Sequence, residues 1–279
     1  MGITVNTNMA ALKIQTNLSN ATEKMNTAMA RMSSGYKINS AKDDAAGYAV
    51  STKLRSTISG TNIASDNVAI GQDLLATVDG VLSVVSDNLS RIRDLTEQAA
   101  NGTYTDEDLA AIAAEVEARL TQITSLTENA TFNGKNLFAD SGKEIVIQSG
   151  TTANEQTKLD AGIFAEIDLS SVSGLVSAIT GSAGVSSYLQ KIDSLLTGTD
   201  GITARQTDIG AAQNQLDAVA DALDVQYTNL TSALSTVQDA DVAEESASYV
   251  QAQILQSASA TLLVQANSAP QIALTLIQG

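Results

Sequence analysis

The chain has no cysteine and no histidine among its 279 residues. Disulfides, thiolate nucleophiles, Ser-His-Asp triads and the common zinc, haem and iron–sulfur ligand sets are thereby excluded. Tryptophan is also absent and aromatic residues make up 3%, too few for the stacking platforms that bind single-stranded nucleic acid. The single proline, Pro270, leaves helices free to run long. Positive charge is scarce, with 15 Lys and Arg against 31 Asp and Glu and a net charge of -16. Neither nucleic acid nor a membrane is expected as a partner. No run of 18 apolar residues stands out, and the start, Met1-Gly2-Ile3-Thr4-Val5-Asn6, is neither basic nor continuously apolar. The expectation is a cytoplasmic protein or one exported without a cleaved leader.

No catalytic apparatus, cofactor site or metal site is predicted. The dense carboxylate groups, Asp43-Asp44, Asp106-Glu107-Asp108 and Glu244-Glu245, fall at helix boundaries or on polar faces, where capping and solvation account for them. No loop has the alternating oxygen ligands of a calcium site, and Ser33-Ser34-Gly35-Tyr36-Lys37 lacks the preceding strand and further glycines of a phosphate loop.

What is present is charge asymmetry and helical periodicity. Residues 1–60 carry seven basic and three acidic residues, a net +4, whereas residues 206–279 carry eight acidic residues and no basic one. The two ends are electrostatic complements, suited to lying along each other or along a neighbouring copy. Leu75, Val78, Leu82, Val85, Leu89 and Ile92 are spaced alternately by three and four, a coiled-coil-like seam that one helix cannot hide. The run stops at Asn101-Gly102, and Thr105 with Asp108 predicts a capped new helix bearing Leu109, Ile112, Val116, Leu120 and Ile123. A third seam holds Ile209, Ala212, Leu216, Val219 and Leu223, so one bundle is built from both halves of the chain.

The first segment carries a weaker stripe of Leu18, Met25, Met29, Met32 and Tyr36, interrupted after Ser33-Ser34-Gly35. Residues 39–47 are small and polar and read as an ordered connector, with a loose surface loop as the alternative and a helix resuming near Ala45; Gly35 and Gly47 allow close approach or unusual dihedrals. In the centre, Phe132-Asn133-Gly134 predicts a turn and Glu144 to Gln148 a short strand. The last segment, with Ile254, Leu255, Leu262 and Leu263, is apolar and nearly uncharged, and Pro270 is expected to bend or break its helix. Such an end calls for burial by other copies of the chain. The fold class is mainly α: long antiparallel helices in a coiled-coil-like bundle formed by both chain ends, with a small β-hairpin region near 132–165.

These stretches resemble bacterial flagellin. The resemblance rests on Ile3 and Asn6-Thr7-Asn8, the run from Arg31 to Gly47, Ala100-Asn101-Gly102-Thr103, Thr131-Phe132-Asn133-Gly134, Gly210-Ala211-Ala212-Gln213-Asn214, Asp239-Ala240-Asp241, Ala252 to Gln256, and Gln265 to Gln271. It implies a non-catalytic subunit that polymerises into the flagellar filament used for swimming, secreted through the flagellar export apparatus. Residues 1–44 would be an amino-terminal inner helix and connector, 45–238 an outer helical domain with a short β and loop excursion at about 130–187, and 239–279 a carboxyl-terminal inner helix.

The implied inner-layer assembly residues are Leu18, Met25, Met29, Met32, Ile254, Leu255, Leu262 and Leu263. The connector group is Arg31, Ser34, Gly35, Asn39, Lys42, Asp43, Asp44 and Gly47, and the outer bundle is Leu75, Val78, Leu82, Val85, Leu216, Val219 and Leu223. The implied partners are further copies of the chain in a helical filament, an export chaperone on the carboxyl segment, a filament cap protein and a hook–filament junction protein. Leu89, Arg91, Arg93, Leu95 and Glu115 resemble the family patch recognised by a vertebrate Toll-like receptor, and a subunit contact within the filament is the other role open to them, with which receptor recognition can coexist. Ser232 to Thr236 depart from the family, where arginine is common, as does the ending Gln278-Gly279. A hook–filament junction protein with similar ends is an alternative, as is an enzyme or effector on a helical scaffold.

Overall fold

A computed structural model describes the backbone at residues 7–138, 144–181 and 184–278, with side chains as far as residue 268. Ile3 and Asn6 and the side chains of Pro270 and Gln271 lie outside the described residues. By its internal contacts the chain divides into Met1–Ile58 with Thr228–Gly279, and Ser59–Tyr227.

The helices start and stop where local chemistry dictates. Helix α1, Met9–Ser34, is capped by the Asn8 side chain, which accepts from the Ala11 N–H, and it ends on Gly35 at φ 75°. Helix α2, Ala45–Ala99, opens on Asp44, whose Oδ1 accepts from the N–H groups of Ala46 and Gly47 at 3.0 Å each. Helix α3, Asp106–Asn129, has the reciprocal capping box of Thr105 and Asp108 that its sequence predicts.

Two small antiparallel ribbons follow. Strands β1, Thr131–Phe132, and β2, Lys135–Asn136, are joined by Asn133 and Gly134 at φ 49° and 77°, the two left-handed residues that a tight hairpin needs. Strands β3, Ile145–Gln148, and β4, Gln156–Leu159, pair with Ile145 opposite Leu159 and Gln148 opposite Gln156. Short helices α4, Leu175–Thr180, and α5, Val185–Thr197, lead to the long α6, Ile202–Gln238, and then to α7, Val242–Gln278, which Asp241 caps through the N–H groups of Ala243 and Glu244. Helix α7 continues through Pro270, so the break expected there is not found.

The Ser59–Tyr227 unit holds the main core. Leu75, Val78, Leu82, Val85 and Leu216 are fully buried, Leu223 is nearly so, and Val219 packs against them half-buried. Leu159, Ile163, Phe164, Leu175 and Ile179 join the same core, so the excursion is a flap over the bundle and not a separate domain. Arg205 fastens it: its guanidinium donates to the carbonyls of Ala165, Glu166 (3.3 Å) and Asp200 (3.2 Å), and burial pushes its pKa down. By length and composition α2 has a window apolar enough to cross a membrane. Its seam residues Leu75, Val78, Leu82, Val85, Leu89 and Ile92 are buried in this protein core, while Ile63, Ile70 and Val84 are exposed.

Candidate functional site

The unit formed by the two chain ends offers the candidate site, and its frame is the antiparallel pair of α1 and α7. Along α1 the positions turned inward are Ala11, Ile14, Leu18, Ala21, Met25, Ala28 and Met32, and along α7 they are Tyr249, Ala252, Gln256, Ser259, Leu263 and Ala266. Spacing alternates between three and four on both helices, and the most buried members are Ala21, Ala28 and Ala252. The small residues are the part of this seam that large-apolar periodicity does not reveal, since they bury little area while allowing close approach.

Polar links cross the same seam at intervals. Arg31 Nη1 lies 2.9 Å from Glu245 Oε1, Ser246 Oγ donates to Met32 Sδ at 3.3 Å, Gln256 Nε2 donates to Thr22 Oγ1 at 3.0 Å, and Asn8 Nδ2 donates to the Ala266 carbonyl at 2.8 Å. The opposite charges of the two ends thus meet directly at Arg31 and Glu245, within a half-buried setting that screens them less than open solvent would.

The eight expected inner-layer residues therefore divide. Leu18, Met25, Met32 and Leu263 are half-buried in the intramolecular seam. Met29, Ile254, Leu255 and Leu262 face outward, with Ile254 63% and Leu262 52% exposed. Val250, Val264, Met9 and Leu12 are exposed as well. The described part of α7 has no charged side chain after Glu245, so this outward face is apolar without electrostatic relief.

The connector is an ordered clasp. Gly35 leaves the helix in the left-handed region, donates its N–H to Arg31 O at 2.8 Å and accepts from the Ala240 N–H at 2.9 Å, while Lys37 N–H donates to Gln238 O at 2.7 Å. Tyr36 and Asp239 thus form an antiparallel bridge. Gln238, buried, accepts from Arg55 Nε at 3.1 Å and donates to Ile38 O at 3.4 Å, and the Arg55 guanidinium lies 5.4 Å from the centre of the Tyr36 ring. The sequence reading missed Gln238, because a glutamine near the end of a polar helix carries no signal of burial.

Beyond the bridge, Ser34 Oγ accepts from Tyr36 N–H at 3.1 Å and Asn39 Nδ2 at 2.9 Å. Asp43 Oδ2 accepts from the Ser40 hydroxyl at 3.0 Å and from the N–H groups of Ser40 (2.9 Å) and Asn39 (3.2 Å). These bonds, the Ser40 hydroxyl first, hold the Asp43 carboxyl below its ordinary pKa. Gly47 packs on this turn so closely that a Cβ there would lie 2.5 Å from Ile38 Cδ1. Lys42 is exposed.

The expected receptor patch needs correction. Leu89 and Leu95 are buried in the core of the Ser59–Tyr227 unit, because they belong to the apolar seam of α2, and they cannot form a surface. Arg91, Arg93 and Glu115 remain accessible but are ion-paired: Arg91 with Glu115 at 3.2 Å, Arg93 with Asp193 at 2.6 Å, and Glu115 also with Arg119 at 3.1 Å. The bonds from Arg119 and Arg91 lower the Glu115 pKa, and the bond to Asp193 raises that of Arg93.

Among the described residues no group of three or more acidic side chains is arranged to hold a metal ion. What the two ends present is a paired, partly apolar surface and not a reaction centre. Residues 5–143 match the family described as bacterial flagellin N-terminal helical region, and residues 189–277 match the bacterial flagellin C-terminal helical region. A flagellin of Halalkalibacterium halodurans is 33% identical over 276 residues, covering 98% of this chain and 99% of its own. The flagellar filament 33 kDa core protein of Treponema phagedenis is 32% identical over 284 residues, covering 98% of this chain and 99% of its own. In fold, the chain is similar to a putative flagellar hook-associated protein from Vibrio parahaemolyticus, with a TM-score of 0.61, 20% identity, and coverage of 71% of this chain and 100% of that one. With both ends matched in order and relatives aligned along nearly the whole length, the chain belongs to the bacterial flagellin family, the non-catalytic structural subunits that polymerise into the secreted, extracellular flagellar filament.

Proposed function

We propose that residues 1–44 and 239–279 form the inner layer of the filament and that copies pack there through the outward faces of α1 and α7. Residues 45–238 then form the outer layer, and the connector from Arg31 to Gly47 fixes the path of the chain between the two. The observation that carries this reading is the uncharged apolar row of Val250, Ile254, Leu262 and Val264, each at least half exposed in the single chain. Burial of such a row stabilises by roughly 1.5–3 kcal/mol per large side chain, and repetition along a filament multiplies it.

The test replaces Ile254 and Leu262 by Asp together. Circular dichroism of the free chain should change little, because neither residue lies in the α1–α7 seam, while growth from filament seeds in electron micrographs should cease. Growth at the wild-type concentration would refute the assignment of that face.

The same exposed carboxyl segment suits an export chaperone that covers it before assembly, and the filament ends suit a cap protein at one end and a hook–filament junction protein at the other. A vertebrate Toll-like receptor would meet Arg91, Arg93 and Glu115 from their solvent side. Replacing both arginines by Ala should abolish a receptor reporter signal; an unchanged signal removes this patch from consideration.

A further inference from the structure

Helix α7 passes through Pro270 without ending. Proline has no amide hydrogen, so the helical bond that residue 270 would give to the carbonyl of Ala266, four residues earlier, cannot form. Asn8, from the other end of the chain, donates Nδ2–H to that same carbonyl at 2.8 Å. Its Oδ1 accepts from the Ala11 N–H at 3.0 Å. These partners fix the orientation of the amide group, because a carbonyl can only accept and a backbone N–H can only donate. One side chain therefore caps the start of α1 and supplies the donor that the proline removes from α7.

We propose that Asn8 and Pro270 together act as the register mark of the α1–α7 pair. The seam needs one. The α7 sequence repeats small residues, Ala252, Ser259, Ala266 and Ala273, at seven-residue intervals, so a slip of one heptad brings small residue onto small residue with little loss of packing. Such a slip sets Asn8 opposite Ala273, whose carbonyl is already engaged by the N–H four residues on, in a helix that runs to Gln278. Only the native alignment offers Asn8 a carbonyl without its helical donor. The Arg31–Glu245 pair, the Tyr36–Asp239 bridge and the Gln256–Thr22 bond favour the same alignment. The first two sit at the connector end, about 35 Å of helix away from Asn8, and the third about 21 Å away, so Asn8 marks the end that they do not reach.

The substitution Asn8→Asp separates this role from plain capping. Aspartate keeps the acceptor for Ala11 N–H and suits a helix start electrostatically, so a residue that only capped α1 would tolerate it. It has no N–H for Ala266. The expected result is an increase of about fivefold in the protein concentration needed for seeded filament growth, the equivalent of one net hydrogen bond. Pro270→Ala restores an amide at 270, and in that background the same substitution should cost less than twofold.

The alignment itself is readable because the chain has no cysteine. Met32→Cys with Ser246→Cys reports the native alignment, and Met32→Cys with Gln253→Cys, seven residues further along α7, reports the slipped one, as intrachain disulfides formed in the full-length chain. Asn8→Asp should raise the ratio of slipped to native product several-fold, and adding Pro270→Ala should return it. An equal effect of Asn8→Asp in both backgrounds, an unchanged ratio, or both disulfides forming equally without it overturns the proposal. If Asn8→Asp blocks growth altogether, recovery on adding Pro270→Ala supports the proposal and continued failure refutes it.

Discussion

Substitution of Gly35 gives a graded test of the connector, because the structure separates backbone cost from steric cost at that position. A Cβ added to Gly35 would meet no atom within 4 Å, while φ is 75°. Damage should therefore follow tolerance for the left-handed region and not side-chain volume. Asn enters that region readily, Ala at a cost of about 1 kcal/mol, and Val, branched at Cβ, at about 2 kcal/mol. If the backbone rotates away to relieve the strain, the bonds to Arg31 O and from Ala240 N–H go with it, at about 1 kcal/mol each. Gly35→Val should thus cost about 2–4 kcal/mol in the unit of the two chain ends. Seeded growth reads this directly, since about 2 kcal/mol corresponds to roughly a 30-fold higher required concentration. Thermal unfolding of the free chain should move less, because the buried core of the Ser59–Tyr227 unit does not include this residue. The order Gly, Asn, Ala, Val from best to worst is the expected result. If Asn proved as damaging as Val, or Val polymerised normally, the backbone argument would fail.

Other perturbations follow from the same geometry. Leu82→Ala empties a fully buried position in the main core and should cost about 2–5 kcal/mol in denaturant unfolding. Arg205→Leu leaves the carbonyls of Ala165, Glu166 and Asp200 without their donor and should cost about 2–3 kcal/mol. Arg205→Lys should not rescue it, because an ammonium cannot span the positions that the planar fork reaches. Asp43 has a folded pKa below its ordinary 3.8, so its contribution is complete above that value and is lost as pH falls through the lowered one. Acidification below about pH 4 should loosen the connector more in the wild type than in Asp43→Asn, measured by amide hydrogen exchange at Asn39 and Ser40.

The parts of the fold that were legible are those with strong local signals. Thr105 and Asp108 announce a helix start, Asn133-Gly134 a hairpin, and the seam from Leu75 to Ile92 a bundle, and each is found where the residues place it. The terminal pair was legible as charge complementarity, but its contact line was not. Alanines give no period to a reading that counts large apolar residues, so one list of inner-layer residues joins Leu18, Met25, Met32 and Leu263, which lie in the seam, to Met29, Ile254, Leu255 and Leu262, which face outward. Leu89 has two readings, as a seam position by its spacing and as part of a surface patch by resemblance, and the packing of α2 decides for the first: the same short stretch supplies the core leucines Leu89 and Leu95 and the exposed arginines. Of the bend or break read from Pro270, the break is not found; the carbonyl that the proline leaves without its helical donor is met by a side chain 258 residues away in sequence, which no local reading could supply.

That separation also sets an order of events. Closing a flexible loop of 258 residues costs about 5 kcal/mol of chain entropy before any contact is made. A contact between Asn8 and Ala266 cannot exist on a chain of which only one end has arrived. Whichever end leads through a conduit, the first terminal helix must wait alone until the other emerges, whereas the hairpins at 131–159 can close on neighbours already present. The α1–α7 pair therefore needs both ends of the chain at once, and it acts as a check on completeness: a chain truncated at either end can build its hairpins and still lack this pairing.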